Sequence, residues 1–254
     1  MFMIFKGCST IHKDVLSKIR LGNFYFIVER DANMPKLLYI TANPKKDPRL
    51  SKGAQIGELF LETFQKEQPD IEIERMHLYD MDIPRIDMDL LYARAKLSFM
   101  GQTFDQLSDA EKEKFTSMHA LADRFIAADY YVFVTPIWNL GAPGILKEFM
   151  DNMFLINKTF ISTEEGPKGL LTGRRAIHIQ TRGGIYSSGP MAEFEMGDQY
   201  VRKALTFLGM DVMDTIVAEG MDHFPKKTPE IMAKAKEEAV VAAKLMATGS
   251  VTAS

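Results

Sequence analysis

A chain of 254 residues, 46% hydrophobic and 26% charged, is long enough to bury one sizeable core, with room for an appendage. A net charge of −3 leaves no electrostatic footprint for nucleic acid, and no apolar run reaches the length of a bilayer span. The single cysteine, Cys8, excludes an internal disulfide framework and a thiolate zinc site and points to a reducing, cytoplasmic setting. The histidines at 12, 77, 119, 178 and 223 show no metal-ligand spacing.

The first 33 residues differ in character from the rest of the chain. Their apolar stretch FYFIV is too short and too far along for a signal peptide. A second start, MPKLLYIT, begins at Met34. Residues 1–33 are therefore expected to be a non-native or mis-assigned leader. The domain is expected over 34–247, with a frayed tail over 248–254.

From Met34 onward, strand and helix patterns alternate. KLLYIT, Lys36 to Thr41, is a short apolar run that reads as a buried strand. After the polar loop ANPKKDPRLSKG, the apolar residues Ile56, Leu59, Phe60 and Phe64 recur at helical spacing. IEIERMHL, Ile71 to Leu78, alternates as a more exposed strand does. A mixed insertion comes next, around Pro84 to Gln106. Ser108 and Glu111 form a capping box ahead of a long amphipathic helix. YYVFVT, Tyr130 to Thr135, is the third strand, and the helix after it carries Pro143 in its first turn. NKTFISTEEGPKGLLTG reads as a loop or a hairpin. RRAIHIQT, Arg174 to Thr181, is the fourth strand. A helix is expected over Met191 to Leu208, a fifth strand in DVMDTIVAEG, and a last helix over Thr228 to Ala247.

This alternation implies an α/β fold: a doubly wound, mainly parallel five-stranded sheet with helices on both faces. Such sheets bind ligands at the carboxyl ends of their strands, near a topological switch point. Three loops lie there. The first offers Asn43, Arg49, Ser51, Lys52 and Gly53. Amide, hydroxyl and backbone donors beside a helix N-terminus suit a phosphate; the alternative is a solvated basic turn. Neither GxxxxGK[ST] nor a post-strand GxGxxG is present. The second offers Ile137, Trp138, Asn139 and Leu140, either a platform for a flat ring or a tryptophan packed on a helix. The third offers Thr181, Arg182, Gly183 and Gly184. Its two glycines allow close backbone approach. Arg182 either places positive charge near an electron-rich ring edge or is a surface arginine at a tight strand exit.

The stretches TPIWNLGAPGILKEFMDN, KTFISTEEGPKGLLTGRRAIHIQTRGGIYSSGP, FLGM and AEG closely resemble the FMN-dependent NADH-azoreductases, and the resemblance runs from Met34 to about Ala247. It implies a flavodoxin-like fold, a homodimer, bound FMN, and NADH as donor for the reduction of quinones and azo compounds by a two-electron ping-pong route. No acid–base triad is required. The family's flavin contacts match Ile137, Trp138, Asn139 and Leu140, and Thr181, Arg182, Gly183 and Gly184, with threonine in place of serine at 181. They match Asn43, Ser51, Lys52 and Gly53 less closely, since many members carry serine where Asn43 and Gly53 stand. Backbone N–H groups, Asn43 or Arg49 would then replace the lost hydroxyls. The resemblance also implies an acceptor pocket walled by Tyr186 and by Phe160, the latter on a loop overhanging the flavin across a dimer interface. The alternative class is a flavodoxin-type electron carrier without NADH turnover of its own. The insertion around Pro84 to Gln106 and the near-neutral charge stand against it.

Overall fold

The computed structural model describes residues 34–45 and 47–249, and the backbone of two short strands before them. Those strands, β1 (Lys18–Leu21) and β2 (Phe24–Ile27), pair antiparallel. The rest of the expected leader, Cys8 and His12 included, and the tail from residue 250 lie outside the described residues.

The main sheet is built from β3 (Lys36–Thr41), β4 (Glu72–His77), β5 (Tyr130–Pro136), β8 (Arg175–Thr181) and β10 (Ile216–Ala218). Their order is β10-β8-β5-β3-β4, every pairing is parallel, and the two-residue β9 (Asp211–Val212) adds to β8. The chain steps outward from β3 to β4 and then crosses back to β5, so the switch point lies between β3 and β5. The expected strands from Lys36 and Tyr130 fall where their apolar runs place them. β4, at the sheet edge, is the more exposed one.

Side-chain alternation divides the core in two. Leu37 and Tyr39 of β3, Val132 and Val134 of β5, and Ile177 and Ile179 of β8 pack on one face. There they meet α1 (Lys52–Glu67) through Ile56, Phe60 and Phe64, and α6 (Thr228–Thr248) through Ala235, Ala239 and Ala243. Leu38, Ile40, Tyr131, Phe133 and Ala176 pack on the other face. They meet α3 (Asp109–Ile126), α4 (Gly144–Asp151) and α5 (Gly197–Phe207). Part of the long insertion is α2 (Met88–Ser98), lying against α3. The capping box at α3 is formed: Ser108 N donates to Glu111 Oε2 at 2.8 Å, and Glu111 N to Ser108 Oγ at 3.3 Å.

Two expectations need correction. The helix expected from Met191 to Leu208 is interrupted: a 3₁₀ segment covers Gly189–Phe194, and α5 starts only at Gly197. The Glu195 side chain accepts from the N–H groups of Gly197, Asp198 and Gln199, closing the helix start from outside. The fifth strand is split into β9 and β10; Thr215, in the break between them, donates its hydroxyl to Asp198, 2.5 Å away. The ambiguous segment after α4 is a hairpin of β6 (Phe160–Thr163) and β7 (Gly166–Gly169).

Candidate active site at the strand ends

The carboxyl ends of β3, β5 and β8 present threonines: Thr41, Thr135 and Thr181. With Tyr39, Asn43, Lys45, Ser51, Gly53, Glu58, His77 and Pro136 they line one pocket. The sheet order therefore brings the first and third expected loops together at the switch point, beside the end of β5.

α1 begins in this pocket. Ser51, buried, is its N-cap and accepts from Ala54 N at 3.2 Å. Its hydroxyl proton stays available to a ligand, since a hydroxyl both accepts and donates. The N–H groups of Lys52 and Gly53 donate to no protein group among the described residues. Gly53 lies so near the strands that a Cβ there would stand 3.2 Å from Val134. Its backbone is thereby held at the pocket wall. Asn43 Oδ1 accepts from Lys45 N at 2.9 Å, and Asn43 Nδ2 lies 3.5 Å from Ser51 Oγ. The Lys52 side chain is exposed. Arg49 is bound by Asp47, Nε to Oδ2 at 2.9 Å and Nη2 to Oδ2 at 2.6 Å. That contact holds the Asp47 carboxyl below the usual range and uses the guanidinium face expected to stand in for a lost hydroxyl.

After β5 the chain makes a tight turn. Trp138 N donates to Gly141 O at 2.8 Å and Gly141 N to Trp138 O at 3.0 Å, while Asn139 and Leu140 have φ of 48° and 72°. Two successive left-handed residues make this a type I′ turn, where asparagine is favoured and leucine is strained. Such strain persists only where the surroundings fix it. Here Leu140 O accepts from Met196 N at 2.9 Å, tying the turn to the start of α5. The N–H groups of Asn139 and Leu140 donate to no protein group among the described residues. Trp138 is 43% exposed rather than packed on a helix. Ile137, half-buried, donates its N–H to Thr181 O.

The loop after β8 is fixed by its carbonyls. Gly183 O accepts from Asp222 N and His223 N, and Gly184 O from Gly220 N. The N–H groups of Gly183 and Gly184 again donate to no protein group among the described residues. A Cβ on Gly183 would meet Asp222 at 2.0 Å, and one on Gly184 would meet the Tyr186 ring at 3.1 Å, so Tyr186 lies folded beside Gly184.

Arg182 corrects an expectation. It is 4% exposed and its guanidinium is spent inside the protein. Nε donates to Gln180 Oε1 at 2.6 Å, and Nη1 to Ser187 Oγ and to Glu219 Oε2, each at 3.3 Å; Nη2 lies 3.7 Å from Glu195 Oε1. Two carboxylates flank its charge, and its burial rules out the surface arginine of the alternative reading. Below it on the same face of β8, buried His178 bonds Thr135 Oγ1 through Nε2 at 2.9 Å and Asp198 Oδ1 through Nδ1 at 2.8 Å. Sequence reasoning passed over Glu195, Asp198, His178, Gln180 and Glu219. One signal was present: polar residues stand at 178, 180 and 182 on one face of the strand, where the middle of its other face carries Ile177 and Ile179.

Phe160 lies elsewhere. It packs edge-on against Phe207, ring centroids 5.3 Å apart, and Phe207 also meets Phe154 at 5.5 Å. Phe207 ends α5, while Gly197 at the other end of the helix touches Gln180 and the β5 turn. At 1.5 Å per residue the two ends are about 15 Å apart, so Phe160 is remote from the loops of its own chain.

A family model described by its flavodoxin-like fold matches residues 35–242. Over 202 residues, 80% of this chain and 95% of the relative, the sequence is 45% identical to an FMN-dependent NADH:quinone oxidoreductase of Geobacillus kaustophilus. The chain belongs to this flavodoxin-like family of FMN-dependent NADH:quinone oxidoreductases. A Staphylococcus aureus member is 44% identical over 200 residues, 79% of this chain and 94% of that one. Among solved structures, an FMN-dependent NADH-azoreductase from Bacillus anthracis, in complex with FMN, superposes with a TM-score of 0.77 at 33% identity, covering 84% of this chain and 100% of that one. An azoreductase from another Bacillus anthracis strain gives 0.77 at 32% identity. Family membership therefore covers the same stretch in which the three loops lie.

Proposed function

We propose that this chain is an FMN-dependent oxidoreductase that uses NADH to reduce quinones and to cleave azo compounds, with FMN held by the three strand-end loops. The observation that carries the reading is the set of three pairs of unengaged backbone N–H groups, at Lys52 and Gly53, Asn139 and Leu140, and Gly183 and Gly184, on loops from three neighbouring strands. The donor set suits FMN in both its parts. Two N–H groups at a helix N-terminus, with Ser51 and Asn43, suit a phosphate. The other four donors, with the exposed Trp138, suit a flat ring with acceptors along its edge.

When bound, FMN would supply the electron chemistry, with hydride from NADH and two electrons to an acceptor, twice over for an azo bond. The protein's part is to bind and orient. Ser51, Asn43 and the start of α1 retain the phosphate. Ile137, Trp138, Asn139 and Leu140, together with Thr181, Gly183 and Gly184, would hold the ring. Arg182 acts from beneath, through its contacts rather than by touching the ring. Tyr186 borders the acceptor pocket.

The same proposal includes a homodimer in a cytoplasmic setting. Met88, Leu91, Tyr92, Phe99 and Met100 of α2 and its exit leave apolar surface exposed, which marks an association face. In a dimer Phe160 would serve the partner's pocket, since it is remote from its own. The domain proper is residues 34–247. No described helix is long and apolar enough to cross a membrane.

The test is visual and spectroscopic. Purified protein supplied with FMN should be yellow, bleach with NADH, and recover its colour on addition of a quinone. A yellow protein that NADH does not bleach would instead be an electron carrier.

A further inference from the structure

We propose that Glu219 is a positioning residue: with Arg182 and Glu195 it forms a largely buried charge bridge that fixes the Gly183–Tyr186 loop against the start of α5 and so sets the acceptor pocket. This rests on the reading of the strand-end loops as the flavin site. One carboxylate oxygen, Glu219 Oε2, accepts from Tyr186 N at 2.9 Å, Ser187 N at 3.1 Å and Arg182 Nη1 at 3.3 Å. The Glu219 side chain is 20% exposed and that of Arg182 4%, so these charge-assisted bonds act with little screening. Arg182 Nη2 reaches toward Glu195 Oε1, which also holds the N–H groups of Gly197 and Asp198. Met196, between them, donates to Leu140 O of the β5 turn. A continuous chain of polar contacts thus runs from the Tyr186 backbone through Glu219, Arg182 and Glu195 to the turn that carries Trp138.

The local geometry explains why a carboxylate is needed at Glu219. The carbonyls of Gly183 and Gly184 anchor the first half of the loop to residues 220–223. The second half relies on Glu219, which takes both Tyr186 N and Ser187 N. The Tyr186 ring lies beside Gly184, so a shift of the Tyr186 backbone moves an aromatic wall next to the unengaged Gly184 N–H. Glu219 itself touches neither ring nor acceptor; it acts through Tyr186.

Two variants and two readouts decide it. Glu219→Ala should raise KM for a quinone acceptor about ten-fold, as expected for loss of bonds to a charged acceptor, while kcat changes by less than about three-fold and FMN content stays near one per chain. Glu219→Gln keeps an oxygen acceptor for Tyr186 and Ser187 and should bring KM back to within about three-fold of the parent. Hydrogen exchange, which needs no activity, should quicken at the Tyr186 and Ser187 amides in Glu219→Ala and much less in Glu219→Gln. An unchanged KM and unchanged exchange in the alanine variant would overturn the proposal. So would equal losses in both variants, or losses that track flavin content. If Glu219→Ala does not fold, Glu219→Asp decides: a selective rise in KM with faster exchange at the two amides supports the role, and parent-like values overturn it. A parent protein without NADH-dependent turnover would fail the functional reading, while the exchange measurement would still judge the loop bridge.

Discussion

The two ends of α5 obey different physics. At its start, Gly197 and Asp198 are received by buried groups one bond at a time: Glu195 holds their N–H groups, and Asp198 takes His178 at 2.8 Å and Thr215 at 2.5 Å. At its end, the Phe207 ring meets Phe154 and Phe160 and stays 37% exposed, with one backbone bond beside it, from Leu171 N to the cap carbonyl of Leu208 at 2.9 Å. Directional bonds fix position to a fraction of an ångström, whereas aromatic contacts tolerate sliding. The start of the helix is therefore built to hold the strand-end loops, and the end to carry the β6–β7 hairpin. Disturbing the first should reach the flavin site. Disturbing the second should reach stability and, in the proposed homodimer, the partner subunit.

The largest effect belongs to the start. Asp198→Ala leaves the buried His178 Nδ1 and the Thr215 hydroxyl without their acceptor. An orphaned buried group costs about 1–3 kcal/mol and the half-buried Thr215 hydroxyl less, so urea denaturation should show a loss of about 2–4 kcal/mol. The variant should also release FMN on dialysis faster than the parent. A variant with parental stability would mean that the polar column beneath the site carries little of the fold.

How much of this was legible beforehand differs along the same helix. Strands at Lys36 and Tyr130 were readable because a buried parallel strand needs a continuous apolar run, and nothing remote alters that. The three loops were readable because strand ends, glycine pairs and the WNLG turn are local patterns. The start of α5 was not, because Glu195 closes the helix with its side chain, and apolar periodicity does not register that contact. The burial of Arg182 was hidden for a related reason: its partners Glu195 and Glu219 come from other segments of the chain. The placement of Phe160 needed the sheet order, which decides at which end of α5 the hairpin stands.

Acid should separate the ends, with a smaller effect. Burial works to raise the Asp198 carboxyl, but the His178 and Thr215 bonds and the nearby His178 and Arg202 charges outweigh it, and its folded value lies below 3.8. Its stabilisation is complete above the unfolded value and is lost only as pH falls through the lower folded one. The root of the hairpin behaves otherwise. Lys158, just before Phe160, lies 3.2 Å from His119 Nδ1. Burial, then the Lys158 charge, push His119 down to about 4. The unfolded chain binds that proton from about pH 6.5 downward and the folded chain does not until about 4. Stability is therefore lost as pH falls between those values and is flat below them, by about 2 kcal/mol for a partly exposed ring. His119→Gln should flatten this limb of the stability–pH curve; an unaltered slope between pH 6.5 and 4 would assign it to another group.

The smallest effect is at Phe160, and it separates two roles for the far end of α5. If Phe160 only anchors the hairpin on Phe207, then Phe160→Ala and Phe207→Ala should both act on stability alone: the first loses one aromatic pair and the second two, about 0.5–1.5 kcal/mol for each pair beyond area burial, and neither alters relative rates among acceptors. If Phe160 also walls the partner's pocket, the same energy appears as a two- to twelve-fold loss of efficiency. That loss falls most on bulky azo dyes, which would stack along the whole wall, and least on small quinones. The expected result is the second: Phe160→Ala remains folded, dimeric and yellow and loses efficiency unequally across an acceptor panel, whereas Phe207→Ala loses stability with a flat panel. Mixing Phe160→Ala subunits with subunits lacking Ser51 and Asn43 side chains sharpens it further. In such a hybrid the flavin-retaining site belongs to the Phe160→Ala subunit, and its wall is the intact Phe160 of the partner subunit, so the parental acceptor profile should return. A profile that stays altered in the hybrid would place the effect of Phe160 within its own chain.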